Sequence, residues 1–377
     1  MRLGTTRHRL TPHVPFRRLR RAGSICAFAL AAFLPTAAEL AAQPVEPRVP
    51  VERAEFGGRA HIQFNSTSVD GEPGTEFLVR RARIWAAARV NDWIDGAVLV
   101  DLAGADASAR YAFVRFALAP TFRVSVGQFK RAFDMFELMS SSDMILVERD
   151  GVVRGVEPCA GVGGPCTYSR FSERLQLSSL DIGALVQGEA SGGRLGYLVS
   201  VTNGSGPNTR EDNDAKSVAG RVTWSATDAV VFGANANLHD FDNAVTRTTE
   251  HAQAFALDVE VGGFSRGLHA QAAVLGGDNW RNLDPSGHAS RFLAAQGVLS
   301  YRVPVAGGGR IDAVEPLGRI SWGDPDRGTV DDGGVMLTPG LALHFGGKNK
   351  LITNIDVWRP DSDRTAWSLK TTALMYF

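Results

Sequence analysis

The stretch TAWSLKTTALMYF, residues 365–377, puts Trp367, Leu369, Thr371, Ala373, Met375 and Phe377 on one face. A repeat of two residues is that of a β-strand, because successive Cβ atoms point to opposite sides of a sheet; an amphipathic helix would repeat every 3.6. The segment is therefore a strand that is apolar on one side and ends on an aromatic ring.

Working outward, the same period recurs near residues 56–64, 77–90, 94–102, 110–118, 121–129, 181–190, 193–202 and 216–225. It continues near 229–238, 251–262, 264–275, 290–302, 311–322, 335–346, 350–358 and 365–377. The connections alternate. Asn91 to Trp93, Ala119-Pro120, Ser191-Gly192, Ala226 to Asp228 and Gly262-Gly263 are tight, and the links between them are long and polar. No stretch beyond residue 42 approaches the run of about 18 apolar residues that a membrane helix needs. A barrel escapes that requirement: its strands are apolar on alternate residues only, and its backbone groups pair between strands. Sixteen strands is an even number, as bacterial single-chain barrels have, and short turns on one side with long loops on the other is their asymmetry. A strand ending on a terminal aromatic resembles the closing strand of bacterial outer-membrane barrels. Trp93, Trp224, Phe345 and Phe377 fall at expected inner strand ends and Trp322 and Trp358 at outer ends, where aromatic girdles belong.

The N-terminus agrees. Arg17, Arg18, Arg20 and Arg21 precede an apolar run from Ala22 to Leu34 and small residues up to Ala42, the form of a secretory signal peptide with cleavage expected near Ala42. No cysteine follows the small residues to accept a lipid. Residues 43–55, rich in proline and charge, read as a periplasmic lead, and 56–377 as the barrel. Loss of seven arginines and Glu39 from 40 basic and 40 acidic residues leaves 33 and 39, a net charge of about −6. That balance argues against nucleic acid as a partner, since phosphate binding needs concentrated positive charge. Cys26 leaves with the signal peptide. Cys159 and Cys166, seven positions apart, are expected to form a local disulfide in an exported protein, against two free thiols or a two-cysteine metal site with no histidine close by.

Three stretches carry a more specific resemblance: FGGRAHIQF at 56–64, FLVRRARIW at 77–85 and GQFKRAFDMFELMSSSDMILVER at 127–149. They are similar to the phosphate-selective porin O and P family. The resemblance implies a sixteen-stranded transmembrane β-barrel, assembled as a homotrimer, whose third loop folds inward, here about residues 130–180. It also implies anion selectivity, with arginines lining the approach and basic residues at the constriction. Arg80 and Arg81 match the paired arginines of the family's second strand. Glu137 departs from the pattern, standing where anion-selective relatives carry a lysine, and this weakens the expectation of phosphate specificity.

Alternation then assigns faces. On the second strand Leu78, Ala82, Ile84, Ala86, Ala88 and Val90 are expected toward lipid, sending Arg81, Arg83 and Arg89 into the lumen. An arginine facing lipid at mid-membrane would cost about 2 to 4 kcal/mol, which decides the direction. The same logic turns Tyr111 and Arg115 inward on the fourth strand and Arg123 and Ser125 inward on the fifth. Lys130 and Arg131 open the long loop, whose acids Asp134, Glu137, Asp143 and Glu148 would oppose the basic wall and set a transverse field. A narrow charged pore selects by size and electrostatics, and guanidinium groups suit carboxylate or phosphate. The blander alternative is that these arginines pair with Asp95, Asp101 and the loop acids and hold wall and loop together.

The expected function is passive diffusion of small hydrophilic or anionic solutes across the outer membrane, among lipid and lipopolysaccharide, without cofactor or metal. The alternative is a structural or adhesive barrel closed by its loops. The acids Asp324, Asp326, Asp331 and Asp332, and EDND at 211–214, lack full calcium-loop spacing and read as solvated outer loops. Histidines 61, 239, 251, 269, 288 and 344 are scattered, and no GxSxG motif accompanies them, so no enzyme is expected, although a serine and a histidine can meet across a barrel.

Overall fold

The computed structural model describes residues 51–377 apart from 70–73, 105, 120, 152, 265, 308 and 363. The expected signal peptide, 1–42, and most of the lead lie outside the described residues. Alternation produces sixteen strands: β1 Arg53–Thr67, β2 Thr75–Asn91, β3 Ile94–Asp101, β4 Ser108–Ala119, β5 Phe122–Lys130, β6 Leu180–Ala190, β7 Leu195–Thr202 and β8 Ser217–Ser225. Then come β9 Val230–Asp242, β10 Thr249–Gly262, β11 Gly267–Leu283, β12 Ala289–Pro304, β13 Ala313–Asp324, β14 Gly334–His344, β15 Lys350–Pro360 and β16 Ala366–Tyr376. Two short helices, α1 Met135–Leu138 and α2 Tyr168–Arg174, interrupt the long link between β5 and β6.

Every strand pairs antiparallel with its chain neighbour, and β16 closes on β1, with Arg59 opposite Tyr376 and Thr67 opposite Ser368. At the seam the Gly58 N–H donates to the Phe377 carbonyl at 2.8 Å and the Phe377 N–H donates back at 3.0 Å. Closure leaves no unpaired sheet edge, which is the condition for strands in lipid. The two faces are those of a membrane barrel: Ile84, Val98, Val114, Phe255, Leu257, Val274 and Ile320 are exposed, while His61, Gln63, Arg81, Asn235, Gln271, Arg319 and Lys370 are buried. The burial of polar groups and exposure of apolar ones inverts the order of a soluble protein.

Four expectations need correction. Strand β1 starts at Arg53, inside the expected lead. Strand β11 runs to Leu283, because Gly276-Gly277-Asp278-Asn279 is not a turn: Gly277 lies so near β10 that a Cβ there would stand 2.2 Å from the Gln253 carbonyl oxygen. Trp358 is buried in the core instead of standing in an outer girdle, as even positions of β15 such as Ile352, Asn354 and Asp356 all face inward. Leu78 turns away from lipid, and its neighbours Phe77 and Val79 are exposed instead. The cause is a β-bulge at Arg80: Ile62 pairs with Val79 and His61 with Arg81, so one extra residue resets the alternation.

Candidate functional site

Residues 131–179 connect β5 to β6 and are strongly apolar in places, as in AFDMF at 132–136 and MILV at 144–147. These side chains find partners on inward-facing positions from β9 to β15. Phe171 stacks on Phe292 with centroids 4.8 Å apart, and Phe136 meets Tyr168 edge-on at 5.5 Å. Phe133, Leu175, Leu177, Met336 and Trp358 join the same buried cluster. Each buried ring or aliphatic chain contributes about 1.5–3 kcal/mol.

Polar anchors follow the same wall. The Asp134 N–H donates to Asn235 Oδ1 at 3.1 Å, Asn237 Nδ2 to the Leu177 carbonyl at 2.8 Å, the Tyr168 N–H to Ser321 Oγ at 3.0 Å, and the Val147 N–H to Asn354 Oδ1 at 2.9 Å. Arg319 on β13 is the strongest of these. Its Nη1 donates to the carbonyls of Glu148 (3.1 Å) and Arg149 (2.7 Å), and its Nη2 to Asp356 Oδ1 at 2.9 Å, while Lys370 holds the other oxygen of Asp356 at 2.5 Å. Gly151 makes room for this: at φ 64 it adopts a backbone region that favours glycine, and a Cβ there would lie 2.4 Å from Arg319 Nη2. Cys159 and Cys166 are disulfide-bonded, Cα atoms 5.2 Å apart, and Asn279 Nδ2 donates to the carbonyl of Ala160 within that hairpin at 3.0 Å.

On the opposite side, against β1 to β4, the segment leaves a cavity of about 450 Å³. Arg59, Arg80, Arg81, Arg83, Arg110, Lys130 and Arg149 line it, facing Ser140, Ser141 and Ser142 of the loop. Two of these cations owe their position to bulges. Arg80 and Arg81 are adjacent, so a regular strand would send one into lipid; the bulge at Arg80 turns both toward Glu148. On β4, Leu99 pairs with Tyr111 and Val100 with Ala109, so Arg110 is the extra residue and lines the cavity beside its neighbour Tyr111. Bulges re-aim side chains in this way.

Most of the charge is internally matched. Arg80 Nε is 2.6 Å and Arg81 3.8 Å from Glu148, Arg83 is 2.6 Å from Asp101, and Glu137 sits 3.1 Å from Lys130 and 3.4 Å from Arg149. Arg59 differs. It is buried, its Nη1 donates to Ser140 Oγ at 3.3 Å, and its Nε has no partner. Arg110 forms no ion pair among the described residues. Glu173 of α2 also lines the cavity and keeps an exposed surface; loss of solvent around the carboxyl, followed by the nearby carboxylates Asp150 and Glu137, pushes it up to about 7.

The other expected residues lie elsewhere. Arg89 is exposed near the end of β2, Arg115 pairs with Asp95 at 2.7 Å and Arg123 stands opposite Gln187 at the start of β5; none lines the cavity, because alternation fixes a residue's face and not its height in the wall. Arg131 is buried under the loop's own return, where its Nη1 donates to the Gln176 carbonyl at 2.7 Å, so it is no pore-lining group. Asp134 is buried and accepts from the Phe136 N–H at 3.0 Å and the Tyr168 hydroxyl at 3.2 Å; burial, then Glu137, raises its carboxyl to about 6. Asp143 pairs with Lys348 in the turn between β14 and β15 at 2.7 Å, not with the arginine wall. Arg59, Arg110, Glu173 and Arg319 escaped sequence reading. Extending the alternation through GGRAHIQF and EPLGRISW would have found Arg59 and Arg319; nothing in the sequence marks the bulge at Arg110.

A serine and a histidine do meet across the strands: Ser217 Oγ lies 3.0 Å from His239 Nδ1. Asp240 accepts from that same hydroxyl and Arg131 abuts the same ring nitrogen at 3.1 Å, all of them buried, so the carboxylate does not orient the histidine as a nucleophile's base requires.

A closed sixteen-stranded barrel with a charged internal cavity defines the protein as a porin-type channel of the outer membrane. The chain belongs to the phosphate-selective porin O and P family, whose model matches residues 55–262. No curated protein matches it by sequence. Among solved structures it is similar to the outer membrane channel DcaP of Acinetobacter baumannii, at 10% identity and TM-score 0.57 over 85% of this chain and 97% of that one. It is also similar to the trimer form of OmpT of Vibrio cholerae (14%, 0.55, 86% and 99%) and to Salmonella typhi OmpF in complex with daunomycin (11%, 0.56, 85% and 97%). At these identities the likeness is one of fold.

Proposed function

We propose that the mature chain, released from a signal peptide ending near Ala42, is a trimeric diffusion porin set among outer-membrane lipid and lipopolysaccharide. Residues 131–179 fold into the lumen as the third loop, and small hydrophilic solutes pass along the β1 to β4 wall with a preference for anions. The observation that carries this reading is the cavity itself, where seven cations outnumber the five carboxylates Asp101, Glu137, Glu148, Asp150 and Glu173, and where Arg59 and Arg110 have no carboxylate within ion-pair distance among the described residues. A fixed positive excess in a narrow aqueous passage attracts anions and raises their entry rate. Glu137 pairs with two of the cations and offsets one of their charges at the position where anion-selective relatives carry a lysine, so we propose no phosphate specificity.

The second reading, a structural or adhesive barrel closed by its loops, draws on the packed wall from β9 to β15, where Phe171, Leu175, Leu177 and Met336 are buried together. Reconstitution of purified protein into planar bilayers under a KCl gradient separates the two. A diffusion porin gives stepwise conductance with a zero-current potential of the anion-selective sign; a closed barrel gives no steps.

A further inference from the structure

Arg59 and Arg110 do not stand alone. Strand register stacks them above a row of aromatic rings. Arg59 pairs with Tyr376 on one side and Arg83 on the other; one step toward the short turns, Trp85 pairs with Leu99 and Leu99 with Tyr111; one step further, Ala97 pairs with Phe113. Trp85, Tyr111, Phe113 and Tyr376 all line the same cavity as Arg59 and Arg110. The Arg59 side chain is more than nine-tenths buried, and its Nε has no partner.

A bare phosphate is a poor match for this arrangement. Its several charges and full hydration shell call for many cations, and here Lys130, Arg149, Arg80 and Arg81 are already held by Glu137 and Glu148. A carboxylate suits Arg59 and Arg110, neither of which has an ion-pair partner among the described residues and each of which offers planar donors to a planar acceptor. The ring row beneath offers apolar faces and edges that inorganic anions cannot use, whereas an aromatic ring gains from both burial and offset stacking. The lining is mainly polar and charged, with the rings gathered on one part of it, and 450 Å³ falls within the usual size range of an organic-ligand site, about 300–1,000 Å³.

We infer that the cavity is a selectivity site for planar aromatic monocarboxylates, the carboxylate held by Arg59 and Arg110 and the ring laid against Trp85 and Tyr111. This rests on the channel reading above. Entry from the outside brings the solute first to the cation row and then to the rings, so the carboxylate is captured before the ring is desolvated.

The test uses the full mature protein and benzoate as probe, with acetate and inorganic phosphate as comparisons. Benzoate is expected to block single-channel conductance at a concentration about tenfold lower than either. Tyr111→Leu and Trp85→Leu should each remove most of that advantage over acetate, with the β-sheet circular dichroism of the unaltered protein as the check on folding. Equal block by benzoate and acetate, or strongest block by phosphate, in the unaltered protein would overturn the inference while leaving the channel intact, and needs no variant. Titration calorimetry of detergent-solubilised protein separates the two claims. Benzoate heat without conductance would leave the site standing and remove the channel, and absence of both would remove both.

Discussion

On the wall from β9 to β15, Phe171 lies flat on Phe292, and Arg319 reaches two carbonyls of the long loop. On the wall from β1 to β4, the same loop offers Ser140, Ser141 and Glu148 across an open cavity. The loop is therefore attached on one side and held off on the other. Attachment uses apolar burial and buried hydrogen bonds, which need exact fit and exclude water. Standing off uses ion pairs between wall arginines and loop acids, which tolerate water and keep a polar passage open. The comparison teaches that a long loop can be fixed firmly on one side while a cavity remains on the other, provided its two faces differ in chemistry.

The attached side can be broken most severely at Asp356, whose two oxygens serve Arg319 and Lys370 inside the wall. Asp356→Ala removes the carboxylate that both buried cations share, a loss of about 3–5 kcal/mol. It should lower the urea midpoint of unfolding and, because Arg319 also holds Glu148 and Arg149, make single-channel currents larger and noisier.

A smaller and opposite effect is expected at Asp134. Its carboxyl is raised to about 6 by burial, above the ordinary value of about 3.9, so the folded protein retains the proton over that interval while the unfolded chain loses it. Stability therefore falls as pH rises from about 4 to about 6. Asp134→Asn should flatten that part of the profile and raise stability at pH 7 by about 1–3 kcal/mol, read from urea unfolding at pH 4, 6 and 7.

On the open side, Glu173 sharpens the comparison with a gentler change. As pH falls through about 7 it takes up a proton, removing one negative charge from the cavity. The anion-to-cation permeability ratio should rise about twofold between pH 8 and pH 6. Glu173→Gln should hold the ratio at its low-pH value throughout.

The barrel was legible to within a few residues because lipid on one face and water on the other impose a two-residue repeat strong enough to read without homologues. The errors fall where that repeat is locally broken. Leu78 leaves its expected face because Arg80 is an extra residue in β2, and β11 runs beyond its expected end because Gly277 permits close strand approach. The site was less legible. Periodicity turned Arg81 and Arg83 inward, and both line the cavity, but it could not separate them from Arg115 and Arg123, which share the inward face at a different height. Arg110 enters through a bulge, and Arg319 acts on residues about 170 positions away in the chain. Alternation turns Arg319 inward, but neither its distant partners nor the bulge at Arg110 is encoded in a local pattern.

The central claim is that the cavity beside β1 to β4 is the conducting path and that Arg59 and Arg110 give it its sign. The most direct measurement is the zero-current potential of single channels under a tenfold KCl gradient, compared between the unaltered protein and Arg59→Gln with Arg110→Gln. The account predicts an anion-selective potential that collapses toward zero in the double variant while conductance steps persist. An unchanged potential in a conducting double variant would contradict it.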